Sequence, residues 1–157
     1  MIQGGELLSG KGFKSYKFGF GKKMDEVLFR KLERLKDEIS FLKTYREEFL
    51  KTIRSSVEKR KLAERSIYLC AEIVLDISDY VIILRGLPKP STYSDSIYKL
   101  GENKIIPKDF SHKFVFIAGV RNFLAHDYEV NTCPVLEKFL KSGIIEVEKF
   151  IKYMELL

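Results

Sequence analysis

The stretch Gly119-Val120-Arg121-Asn122-Phe123-Leu124-Ala125-His126-Asp127-Tyr128 holds the residues best suited to chemistry on a phosphate. A guanidinium binds two phosphate oxygens and offsets charge on a crowded phosphorus centre. An imidazole titrates near neutrality and takes or gives a proton. On a wheel of ~100° per residue, Phe114, Ile117, Leu124 and Tyr128 lie within about 60° of Arg121. Arg121 thus sits in an apolar stripe, where a charge needs a partner. Two readings stand open at this point: a buried ion pair with Glu72 or Asp76, or a phosphate-binding arginine at the mouth of a cleft. His126 shares a face with Asn122 but lies about 140° from Arg121. Arg121 and His126 can therefore grip one phosphate only if the helix unwinds near residues 125–127 or two copies of the stretch meet. A lone histidine near a helix end is ordinarily a cap for the last carbonyls.

Other site signatures are missing. No glycine-rich loop ends in Lys-Ser/Thr, and no His-Glu-x-x-His or Cys-x-x-Cys pair stands ready for zinc. With two histidines in 157 residues, no metal site and no cofactor is expected. Two cysteines, Cys70 and Cys133, cannot frame a disulfide scaffold. No apolar run approaches the ~20 residues of a membrane span, and the first residues lack a secretion signal, so a cytoplasmic protein is expected.

The elements that position the stretch are helical. Hydrophobic residues make up 45% and charged residues 32%, the balance of one globular domain. From Met24, the positions Leu28, Leu32, Leu35, Ile39, Leu42, Phe49 and Ile53 recur at spacings of three and four, interrupted once by Arg46. A second helix is expected from about Glu58 to Arg85, apolar nearly all round in its later half and so central. Glu72, Asp76 and Asp79 interrupt it and need partners; pairing with Arg or Lys of a neighbouring helix is the favoured role. Gly86-Leu87-Pro88-Lys89-Pro90 ends it, because both prolines are hostile to a continuing helix. Ser91 or Ser94 is expected to cap a short helix to about Leu100. A fourth is expected over about Lys108–Ala125, after Pro107. A fifth is capped by Asn131 or Thr132 and turns Leu136, Leu140, Val147, Phe150 and Met154 inward, with Gly143 in the longest gap. The result is an all-α bundle of four long helices and a short one, spanning 24–157.

Residues 1–23 stand apart. They hold six of the ten glycines, and five lysines against Glu6 alone, a net +4 of the chain's +6. The remaining 134 residues carry only +2, so overall charge says little about nucleic acid. A flexible or loosely packed tail is the favoured reading. A basic-aromatic strand binding RNA through Phe13, Tyr16, Phe18 and Phe20, or a natural start at Met24, are the alternatives.

The fuller string Arg121-Asn122-Phe123-Leu124-Ala125-His126-Asp127-Tyr128 resembles the Arg-x4-His-x-Tyr motif of the HEPN superfamily, in its HepT-like toxin branch. The likeness extends over residues 24–157. It takes in the heptad-like first helix, Glu64-Arg65-Ser66-Ile67, the buried run Ala71–Ile77, Leu87-Pro88-Lys89-Pro90-Ser91-Thr92-Tyr93, and the amphipathic last helix. It implies a HEPN-type bundle, a homodimer with two motifs lining one cleft, and metal-independent RNA cleavage. The activity implied is that of the toxin in a type VII-like toxin–antitoxin pair. The antitoxin implied is a minimal nucleotidyltransferase that transfers AMP to the motif tyrosine, here Tyr128. Arg121 and His126 fall on the family's catalytic pair, with Asn122 and Asp127 in support. The chemistry suits the residue types. RNA brings its own 2′-hydroxyl nucleophile, and the expected products are a 2′,3′-cyclic phosphate and a 5′-hydroxyl. Two competing expectations are a non-catalytic HEPN module, binding nucleotide or RNA or accompanying a nucleotidyltransferase, and a plain helical oligomer. The oligomer requires Arg121 to be fully paired and screened from solvent.

Overall fold

The computed structural model describes residues 7–8, 13–18, 22–126 and 130–157. Strands β1 (Leu7–Leu8), β2 (Phe13–Phe18) and β3 (Lys22–Asp25) form an antiparallel sheet in that order, with Tyr16 opposite Met24 and Lys17 opposite Lys23. These strands fall in the segment 1–23 that composition reads as a flexible or loosely packed tail, and at its edge. β2 carries Phe13, Tyr16 and Phe18 among Lys and Ser, and glycines 10, 12, 19 and 21 fall between the strands rather than in them. β2 and β3 run beside the first helix.

Helix α1 (Glu26–Thr52) begins where Asp25 Oδ1 accepts from the Val27 and Leu28 amides at 2.8 and 3.1 Å. The same oxygen accepts the Tyr80 hydroxyl at 2.7 Å, tying this cap to the next helix. Leu28, Leu32, Leu35, Ile39, Leu42 and Phe49 are all buried, as the spacing predicts. Ser56 caps α2 (Val57–Leu84), its oxygen accepting from the Lys59 amide. α2 lies antiparallel to α1, with Lys31 on Asp76 near one end and Lys59 on Glu48 near the other. Ile67, Cys70, Ala71, Val74 and Ile77 are sealed from solvent, so α2 is the central helix expected.

Gly86, the first residue of the expected helix-ending stretch, closes α2. It sits at φ +68°, donates to the Ile83 carbonyl, and lets the Leu87 amide reach Ile82 at 3.1 Å. Thr92, between the two serines expected, caps α3 (Tyr93–Glu102). Its oxygen accepts from the Asp95 amide at 3.0 Å, while the Asp95 carboxylate accepts from the Ser91 amide.

The fourth helix is broken in two, α4 (Lys108–Phe114) and α5 (Phe116–His126). No glycine or proline marks the break. Phe114 and Phe116 meet edge to face at 5.7 Å across it. Residues two apart on an unbroken helix point about 200° from one another and cannot touch. Phe114 also stacks on Phe110 and Phe150, which anchors the break in the core.

The last helix runs as α6 (Cys133–Lys138), a π-helical turn (Phe139–Gly143) and α7 (Ile144–Glu155). A Cβ on Gly143 would lie 2.7 Å from the Phe139 ring, so glycine is required where that ring packs. In this turn the Ile144 amide reaches back to Phe139, and the Leu140 carbonyl accepts Arg46 Nε at 2.6 Å. The one charged residue in the apolar stripe of α1 thus has a backbone partner. Among the described residues no helix is long and apolar enough to cross a membrane.

Candidate active site

α5 carries Arg121, Asn122 and His126 and stays helical through His126. The unwinding that would bring Arg121 and His126 together on one chain is absent up to that residue. His126 and Asn122 are exposed; Asp127 and Tyr128 lie outside the described residues.

Arg121 leans on α2. Its Nε donates to Glu72 Oε1 at 2.8 Å, with the arginine side chain 17% exposed and the glutamate 37%. Of the two acidic partners expected, Glu72 takes the guanidinium and Asp76 takes Lys31 of α1. They share a stripe, but Glu72 meets α5 while Asp76 meets α1. The third acid, Asp79, accepts from Ser96 Oγ of α3 at 2.6 Å. The guanidinium stacks over the Tyr93 ring at 4.7 Å and lies 5.9 Å from the centre of Tyr68. Nη1 reaches Asn122 Oδ1 at 3.5 Å, and Nη2 has no partner among the described residues. The Glu72 hydrogen bond raises the Arg121 pKa above its ordinary value, so the cation persists. The fully paired and screened arginine of a purely structural role is not what the geometry shows.

Beyond Asn122 a groove of about 550 Å³ opens between the end of α2 and the start of α3, lined among others by Tyr93, Ser96, Lys89 and Asp79. Among the described residues no group of three or more His, Cys, Asp or Glu side chains is placed to hold a metal ion. Sequence reasoning did not assign Tyr68 and Tyr93 to the site. The signal for Tyr68 was its place one turn before Glu72; for Tyr93 it was nothing local, since α3 brings it in through space.

Arg121 of α5 thus leans on the central helix α2, with Asn122 and His126 on its own short helix. A solved tri-AMPylated Shewanella oneidensis HEPN toxin, in complex with MNT antitoxin, shares the fold. It is 19% identical, with a TM-score of 0.77, over 85% of this chain and 100% of that one. The chain belongs to the HepT-like ribonuclease family, which matches residues 25–154. Among curated proteins it is 24% identical to the tRNA nuclease HepT of Aphanizomenon flos-aquae, over 66% of this chain and 70% of that protein. It is 26% identical to the mRNA nuclease HepT of Shewanella oneidensis, over 52% of this chain and 62% of that one.

Proposed function

We propose that this protein is a HepT-like endoribonuclease, the toxin of a toxin–antitoxin pair, with Arg121 and His126 as its catalytic residues. The observation that carries the site is the state of Arg121. Glu72 and Tyr93 hold the guanidinium in place, its Nη2 has no partner among the described residues, and its neighbours Tyr93 and Asn122 line an open groove. A cation held this way is preorganised for phosphate and needs no rearrangement at the moment of reaction.

The 2′-oxygen of a ribose attacks the adjacent phosphorus, and the bond to the 5′-oxygen of the next nucleotide breaks. His126 takes the 2′-hydroxyl proton or delivers one to the leaving oxygen, and Arg121 offsets charge on the phosphoryl oxygens. No protein nucleophile and no metal is required by this route. Because α5 keeps Arg121 and His126 on different faces, the cleft is completed in a homodimer, with two motifs meeting. Asn122 orients the guanidinium through its 3.5 Å contact, and Asp127 supports the histidine. The partner is a minimal nucleotidyltransferase that transfers AMP to Tyr128. An added phosphate beside Arg121 competes for the guanidinium and fills the cleft.

A non-catalytic binding module is favoured by one fact, the net charge of only +2 beyond residue 23. Incubating the protein with total RNA in EDTA, beside an Arg121→Ala/His126→Ala control, separates the two. Tyr128 is first checked by mass spectrometry for an AMP adduct. Cleavage by the wild type alone, leaving cyclic phosphate ends, is expected. Intact RNA with unmodified Tyr128 refutes the nuclease in favour of the module.

A further inference from the structure

We infer that the stripe of α2 leading up to Arg121 is a track for single-stranded RNA, with Lys61 and Arg65 holding phosphates and Tyr68 and Tyr93 stacking on bases. This rests on the ribonuclease reading above and names how that substrate is held away from the scissile bond.

Lys61, Arg65, Tyr68 and Glu72 follow one another at spacings of four, three and four, so they share one face of α2. Eleven residues of helix span about 16 Å, which at ~3.4 Å per stacked nucleotide carries about four or five nucleotides. Tyr68 is half-buried, with the Arg65 and Arg121 guanidinium groups each 5.9 Å from its ring centre. Tyr93 lies beneath Arg121 on the far side.

The cations of this region divide into two sets. Arg54 is held by both oxygens of Glu137, Lys59 by Glu48, and Arg60 by the Ile53 carbonyl at 2.9 Å. Lys61 and Arg65 are exposed and make no ion pair among the described residues. These two cations, without an ion-pair partner among the described residues, lie on the stripe that leads to Glu72 and Arg121. At the Lys61 end a cavity of about 820 Å³ reaches across to Leu124 of α5, so the stripe borders a recess. Cations followed by aromatic rings along one helix face are what a single strand needs. Phosphates meet charge, and every base has a face to stack. A duplex keeps its bases stacked on one another and has no use for the rings.

The test uses a fluorescent oligonucleotide with 2′-O-methyl riboses, which lacks the nucleophile and is not cut. Anisotropy is read across a salt series for the full chain, for Lys61→Ala/Arg65→Ala, for Tyr68→Leu and for Lys152→Ala as a remote control. Circular dichroism verifies folding of each. The double variant is expected to bind about tenfold more weakly, with the salt slope reduced by about one to two. Tyr68→Leu is expected to bind about fivefold or more weakly with the slope unchanged. Affinity and slope equal to wild type in the double variant overturn the track, and unchanged affinity in Tyr68→Leu overturns the stacking. Expected binding changes in a protein that leaves natural RNA intact defeat the nuclease and keep the track. RNA cleavage with KM unchanged in the double variant keeps the nuclease and defeats the track.

Discussion

Replacing Glu72 separates the two things its carboxylate does to Arg121. It holds Nε at 2.8 Å, and it places a negative charge beside the group meant to attract phosphate. Hydrogen bonds to charged groups contribute ~1.5–3 kcal/mol and exposed ion pairs ~0–1 kcal/mol. With the glutamate 37% and the arginine 17% exposed, Glu72→Ala should cost about 1 kcal/mol of stability, a melting shift of about 2–4 °C for a chain of this length. The freed guanidinium then samples other rotamers, and kcat should fall about tenfold. Glu72→Gln keeps an oxygen on Nε–H and removes the charge. Two unit charges at ~4 Å interact by ~1 kcal/mol in water and ~4 kcal/mol at an effective dielectric of ~20. Even the weaker value predicts about fivefold tighter binding of an uncleavable RNA by Glu72→Gln, with kcat close to wild type. Single-turnover cleavage of an end-labelled RNA, anisotropy and thermal melting read the three quantities. Equal kcat in the alanine and glutamine variants would refute the claim that Glu72 positions Arg121.

Three further outcomes follow from the same structure. His126 is exposed, so His126→Ala should abolish cleavage while stability changes by less than about 0.5 kcal/mol; a folded variant that still cuts RNA removes this residue from the site. Gly143→Ala drives a methyl against the buried Phe139 ring, and after the gain in helix propensity should destabilise by about 1–2 kcal/mol, read by urea unfolding; no loss would show that the ring has room to move. Burial, and then the Asp25 hydrogen bond, push the Tyr80 phenol up to about 12, against about 10 in the unfolded chain. The fold therefore holds the extra proton between those values. Stability should decline as pH rises from about 10 to about 12, and Tyr80→Phe should flatten that decline. Equal slopes in the two proteins would contradict it.

The sequence alone determined the helices that rest on local rules. Apolar residues three and four apart located α1 and the burial of α2, and serine and proline marked helix starts within a few residues, because propensity, periodicity and capping act over one or two turns. The string from Arg121 to Tyr128 was equally legible, since its residues lie side by side in the chain. Contacts between distant segments were decided only by the tertiary structure. Glu72 and Asp76 are equivalent partners for Arg121 on a helical wheel; the packing of α5 and of Lys31 on α2 assigns one to each cation. The break at Val115 has no glycine or proline to announce it, and across it Phe114 and Phe116 meet. Arg46 looks like a flaw in an apolar stripe until the π-helical turn, 94 residues on, presents the Leu140 carbonyl. Tyr93 enters the site from α3 across space. A charge or a ring in a sequence states a need for a partner, and the packing of helices decides which residue meets it.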